Sequence, residues 1–261
     1  MNATPSLSVR GVTVRYGDMR AVNDVTVECA AGTLTGLIGP NGAGKTTLLK
    51  ACTGLVRPDA GEIFLSGIPL ASWSPSRRAR KLGYLPQGRL VAWPVTVARL
   101  VALGRLPHLA PWESPGRADA AAIESALTET DTLSLAGRPV TALSGGELAR
   151  VLVARLLAGE PDVLLVDEPI AGLDPAHSLQ IMELFRTLAR SGRTVIVVMH
   201  DLAVAARFCQ RLVMLNGGRL VADGPPAGVM TPDLLAHHYG IEAAIVRHAG
   251  EMLVVPWRPL R

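Results

Sequence analysis

Cysteine is scarce in this sequence. Only Cys29, Cys52 and Cys209 occur among 261 residues, far apart and without C-x-x-C spacing, which excludes a disulfide framework and a thiolate zinc site; a reducing compartment is the simplest home. Long apolar runs are missing too. No stretch approaches the roughly 18 consecutive apolar residues of a membrane span, and the opening MNATPSLSVRG lacks the apolar core of a signal peptide. The expectation is a chain that does not itself cross a membrane. Charge of one sign is nearly balanced, 26 Lys plus Arg against 22 Asp plus Glu for a net +4, so charge alone gives no support for nucleic-acid binding. Sustained heptads, internal repeats and low-complexity segments are also missing. The length suits one large domain, or a domain carrying an insert.

What is present is a change of hydrophobic period along the chain. Residues 7–16 (LSVRGVTVRY) alternate apolar and polar, and Val25–Val27 and Glu62–Leu65 continue in short pieces of the same kind. They predict a half-exposed antiparallel layer. Leu34–Gly39, Val163–Asp167 and Thr194–His200 are instead apolar throughout, as strands buried on both faces of a parallel sheet are, and Gly83–Gln87 is a fourth candidate. Between them Pro175–Arg190 repeats Ile181, Leu184, Phe185 and Leu188 at helical spacing after an Asp174-Pro175 start. The pattern is α/β. Residues 88–142 interrupt it with Pro94, Pro107, Pro111 and Pro115, then with a helical stretch whose Ile123, Ala126, Leu127 and Thr130 share a face. This predicts an inserted helical subdomain.

Three motifs carry chemistry. Gly39-Pro40-Asn41-Gly42-Ala43-Gly44-Lys45-Thr46, followed by Thr47, matches G-x-x-x-x-G-K-[ST] between an apolar strand and a helical KTTLLKAC. Glycines there let backbone N–H groups curl around phosphates at the positive end of a helix; Lys45 is placed to reach β- and γ-phosphates and Thr46 to ligate Mg²⁺. Asp167 and Glu168 then end a buried strand, where open α/β sheets bind ligands. Asp167 suits the Mg²⁺ shell, and Glu168 suits orienting, or taking a proton from, an attacking water. Finally Leu143-Ser144-Gly145-Gly146-Glu147 heads an apolar helix. A capping box explains Ser144 and Glu147, but two adjacent glycines cost helix stability unless backbone must approach something closely.

In this order the motifs resemble those of ATP-binding cassette (ABC) ATPases, with the signature spelled LSGGE, and the resemblance runs to about residue 240. It implies a P-loop NTPase fold: a mostly parallel core from 1–87 and 160–245 with an N-terminal antiparallel layer, a helical signature subdomain at 88–159, and a tail at 246–261. It also implies that Ser144, Gly145 and Gly146 close over ATP held by a second copy, so that two ATP molecules sit between two subunits. Tyr16 then corresponds to the residue that stacks on adenine, though by itself a strand-end tyrosine also suits packing. Gln87 corresponds to the glutamine that senses Mg²⁺ and the lytic water, Asp174 to the aspartate that contacts the partner, and His200 to the histidine that contacts the γ-phosphate. Asp174 is equally a good helix N-cap. Leu148-Ala149 and the DEPIAGLD spelling depart from common family usage near the dimer seam.

Stretches 102–109, 124–147, 199–226 and 231–243 resemble cassettes of importers of iron-siderophore, haem or cobalamin complexes, and manganese and zinc importer cassettes share some of the layout. The implied protein is an ATPase on the cytoplasmic face of a bacterial inner membrane. It would work as a homodimer beneath transmembrane permease subunits, docked at Pro94–Pro111, indirectly serve a substrate-binding protein, and need no nucleic acid. Exporter cassettes, a DNA-repair ATPase and a P-loop small-molecule kinase are the alternatives. The basic run Ser76–Lys81 and the pair His237-His238 read as surface, and Trp73, Trp93 and Trp112 as packing or interface residues.

Overall fold

The computed structural model describes residues 6–88, 93–110 and 112–260. The chain makes two compact units: residues 1–72 with 186–261, and residues 73–185.

The first unit opens with β1 (Leu7–Tyr16) and β2 (Met19–Cys29), an antiparallel hairpin whose tip pairs Tyr16 with Met19. After β3 (Leu34–Ile38) and α1 (Lys45–Thr53), β4 (Ala60–Leu65) and the short β5 (Ile68–Pro69) complete a four-stranded antiparallel sheet in the order β2-β1-β4-β5. Its alternating sequence resolves as expected: Leu7, Val9, Val12 and Val14 are buried, while Arg10 and Arg15 face solvent. By contrast, β3 is buried along its entire length.

The second unit begins with α2 (Pro75–Lys81), β6 (Leu82–Leu85) and α3 (Val97–Ala102). Helices α4 (Arg117–Glu129) and α5 (Gly145–Ala158) follow, then β7 (Val163–Asp167) and the start of α6 (Pro175–Arg190). Strands β6 and β7 pair in parallel, Leu82 opposite Val163 and Leu85 opposite Val166. Helices α3, α4 and α5 pack together around Val97, Val101, Ala126, Leu127, Val151 and Leu152. Fully burying an aliphatic side chain of this kind contributes about 2 kcal/mol, so a helix carrying three such residues on one face gains more by docking than by its intrinsic propensity. Gly83–Gln87 is a strand only as far as Leu85, because Pro86 cannot donate to a ladder.

The chain returns to the first unit with β8 (Thr194–Val198), α7 (Leu202–Phe208), β9 (Arg211–Asn216) and β10 (Arg219–Gly224). Strand β3 lies between β8 and β9, parallel to both, and β10 pairs antiparallel with β9. Two short helices, α8 (Pro226–Val229) and α9 (Pro232–Tyr239), precede a hairpin of β11 (Ile241–His248) and β12 (Glu251–Pro259). Most of the tail beyond residue 245 is therefore part of this hairpin. Strand β12 packs on α7 through fully buried Val254, and Glu251 pairs with Arg207 at 2.6 Å.

Candidate functional site

In the first unit, β3 ends at Ile38 and the chain turns through Gly39–Gly44 into α1. Gly44 is the N-cap, at φ 96° and with no side-chain cap bond, so the first N–H groups of α1 face the loop. A Cβ at residue 44 would lie 2.1 Å from the Ala21 carbonyl oxygen, and left-handed backbone already disfavours one. Only glycine lets the loop close this tightly on β2. Lys45 is buried, and its Nζ donates to the carbonyl oxygens of Gly39 at 2.8 Å and Pro40 at 2.9 Å. The ammonium group is thus held across the mouth of the loop beside amides that suit anionic oxygens. Tyr16 is half exposed at the end of β1 and lies outside the core. His200 stands just past β8 and is exposed, and its neighbour Asp201 caps α7 by accepting from the Val204 N–H at 2.9 Å.

In the second unit, Asp167 is the last residue of β7 and is buried, whereas Glu168 follows at φ 50° and is half buried. A glutamate in left-handed backbone stores on the order of 1 kcal/mol of strain, a cost that concentrates at functional sites. Its Oε2 accepts a hydrogen bond from Gln87 Nε2 at 2.8 Å. The structure thereby joins two side chains 81 residues apart that the sequence singled out separately. Sequence reasoning did not single out Tyr84 of β6. Burial, and secondarily the charge of Asp167, push its phenol up to about 12, so it stays neutral.

Ser144 caps α5: its Oγ accepts from the Glu147 N–H at 3.2 Å while Glu147 Oε2 accepts from the Ser144 N–H at 2.7 Å. The capping box is formed, and such a cap is worth about 1 kcal/mol. The Ser144 N–H, with help from Arg138 at 3.1 Å, holds the Glu147 carboxyl below the usual range. Asp174 caps α6, with Oδ1 accepting from the His177 N–H at 3.0 Å and Oδ2 bonded to His177 Nδ1. These bonds, the backbone one first, lower the Asp174 carboxyl. His177 was not singled out in the sequence; an aspartate cap three residues before a histidine was the available signal.

Other expectations divide. Trp93 and Trp112 are exposed, so neither packs within its unit, whereas Trp73 is half buried beneath the Arg77 guanidinium, 5.9 Å from the ring centroid. In the run Ser76–Lys81, Arg80 Nε donates to the Pro107 carbonyl at 2.7 Å and Lys81 pairs with Asp162 at 2.7 Å. The segment Pro94–Pro111, expected to meet permease subunits, includes exposed Leu103 and Leu106; Pro111 itself lies outside the described residues. His238 is half buried with Nδ1 3.1 Å from Asn216 Nδ2, and burial lowers its pKa.

The sequence pattern of the ABC transporter family matches residues 22–171. A hemin import ATP-binding protein of Nocardia farcinica is 44% identical over 243 residues, covering 92% of this chain and 83% of the relative. One from Rhodococcus jostii is 40% identical across 98% of this chain and 88% of its own length. A cobalamin import ATP-binding protein of Halobacterium salinarum is 39% identical over 92% of this chain and 60% of that protein. Among solved structures, a metal-chelate type ABC transporter in an inward-facing conformation shares the fold with a TM-score of 0.85 at 24% identity, covering 97% of this chain and 98% of that one. A dimeric ATP-binding cassette in a post-hydrolysis state with ADP and Pi has a TM-score of 0.72 at 27% identity, over 84% of this chain and 98% of the other.

Proposed function

The chain belongs to the ABC transporter family, as an ATP-binding cassette, and from that premise we propose that it is the ATP-hydrolysing subunit of an importer of a metal chelate, with hemin first among iron-siderophore, haem and cobalamin substrates. The observation that carries this reading is that similarity to hemin import ATP-binding proteins extends over nearly the whole chain rather than over the nucleotide motifs alone.

The roles follow motif by motif. Backbone amides of Gly39–Thr47 and the Lys45 ammonium hold the phosphates of ATP, Tyr16 stacks on adenine, and His200 contacts the γ-phosphate. Glu168 orients the attacking water and takes its proton, with Gln87 steadying the carboxylate. Ser144, Gly145, Gly146 and Asp174 serve the ATP of a second copy. Mg²⁺ suits the donors present: the Thr46 hydroxyl, the Gln87 amide oxygen and the buried Asp167 carboxylate are hard oxygens. Among the described residues no cluster of three or more His, Cys, Asp or Glu is placed to hold a metal, so the ion would share its shell with phosphate oxygens. When bound, it neutralises charge on the β- and γ-phosphates.

No helix among the described residues is long and apolar enough to cross a membrane. In the proposed assembly permease subunits provide the membrane passage, the cassette lies peripheral on the cytoplasmic face, and a substrate-binding protein delivers the cargo. The test is uptake of labelled hemin, ferric siderophores, cobalamin, manganese and zinc in cells carrying the native gene or a Lys45→Ala allele. Selective loss of hemin uptake supports the reading; unchanged uptake of all five refutes import.

A further inference from the structure

Gly146 is the second residue of α5 and is buried, whereas Gly145 beside it is exposed. The two glycines are not equivalent. A Cβ at residue 145 would make ordinary contact with Leu173 Cδ2 at 3.7 Å, but a Cβ at residue 146 would lie 1.9 Å from Cδ2, 2.4 Å from Cγ and 2.5 Å from Nε2 of His177 in the same chain. Those atoms belong to a rigid ring, and the ring is not free to swing away. Asp174 grips residue 177 twice, through its backbone N–H at 3.0 Å and through Nδ1. An ionised carboxylate only accepts, so the shared proton sits on Nδ1 and leaves the Cδ2–Nε2 edge turned toward Gly146. One turn further along both helices, Arg150 Nη1 donates to Gln180 Oε1 at 3.0 Å, so the contact between α5 and α6 continues beyond the ring.

We propose that His177 is a positioning residue that clamps the signature turn Ser144–Gly146 to Asp174, and that this intrachain clamp imposes glycine at residue 146. Neither half of the clamp works alone. Without Asp174 the imidazole can rotate off the turn, and without the ring the position of Asp174 is no longer carried to Gly146. The consequence for turnover rests on the proposed function, in which both loops serve the nucleotide of a second copy: loops that move as one body arrive together, and loops released from each other do not.

The test is a double-mutant cycle on the full-length chain, read first by thermal unfolding. Gly146→Ala should lower the melting temperature by about 5 °C with His177 present, and most of that loss should vanish in the His177→Ala background, because the atoms that the new methyl strikes are gone. Equal losses in the two backgrounds would overturn the clamp. This readout needs no nucleotide, so it stands apart from the fate of the transport reading. The second readout is steady-state ATP hydrolysis. His177→Ala should lower kcat about tenfold with little change in KM, and His177→Asn, whose amide N–H can replace Nδ1 as donor to Asp174, should recover part of that loss. A His177→Ala protein with unchanged kcat, or an asparagine variant no better than alanine, would refute the positioning role even if the stability coupling held.

Discussion

Gln87 Nε2 donates to Glu168 Oε2 at 2.8 Å, tying the residue two positions beyond β6 to the residue immediately beyond β7. Because β6 and β7 are paired in parallel, their carboxyl ends emerge side by side, and the two side chains need only a short reach. The amide orients the carboxylate without neutralising it. In the proposed role the same carboxylate orients the attacking water.

Glu168→Gln keeps the size of the side chain and an oxygen that can accept from Gln87, and it removes the basic carboxylate. Nucleotide binding should stay within about twofold of the parent, while phosphate release should fall by at least about 100-fold and the closed dimer should accumulate. Steady-state phosphate release and size-exclusion chromatography with ATP check this together; turnover near the parent rate refutes the role.

Lys45→Ala removes the buried ammonium that spans the Gly39 and Pro40 carbonyls. ATP affinity should drop by about 100-fold, since charge-assisted contacts to phosphate are lost. The circular dichroism spectrum should be unchanged, because the loop backbone is also held by the Leu48 N–H bond to the Gly44 carbonyl at 2.9 Å and the Gly218 N–H bond to the Ala43 carbonyl at 3.2 Å.

Arg105 is buried between Asp119 at 2.8 Å and Glu160 at 2.6 Å and also donates to the Ala158 carbonyl at 2.8 Å. Its hydrogen bond to Asp119 holds that carboxyl below the usual range. A carboxyl with a depressed folded-state pKa stabilises the fold in full above its ordinary value, and the contribution is lost as pH falls through the depressed one. The melting temperature of Asp119→Asn should therefore lie furthest below the parent near pH 7, and the gap should shrink as pH is lowered through 4 toward 3. A gap that widened on acidification would contradict this sign. Arg105→Leu, which leaves Asp119 without its cation, should lower the melting temperature by about 10 °C at neutral pH.

Val254 is the fully buried residue of β12, set against α7. Val254→Asp places a charge there without a partner, so the terminal hairpin should detach and become cleavable. Limited proteolysis followed by mass spectrometry should give early cuts within 241–260 in the variant and not in the parent.

Much of this protein was legible in short windows of sequence. Alternation over residues 7–16 and unbroken apolar runs at Leu34, Val163 and Thr194 become one half-exposed strand and three buried ones. Ser144 with Glu147, and Asp174 before Pro175, announce helix starts that form where expected. Period, capping and turn chemistry act within about ten residues, so they survive in the bare string. Gly83–Gln87 fell short at its proline for the same kind of local reason.

The sequence by itself determined the phosphate loop, the paired acids, the capped helix starts and the alternation of strands with helices, because each is set by neighbours along the chain. Only the tertiary structure decided which distant groups meet: Gln87 with Glu168, Arg105 with Asp119 and Glu160, the His177 ring over Gly146, and the last hairpin on α7. Such pairings are chosen by burial and by the need to satisfy polar groups removed from water, which depend on the packed fold and leave no fixed spacing in the sequence.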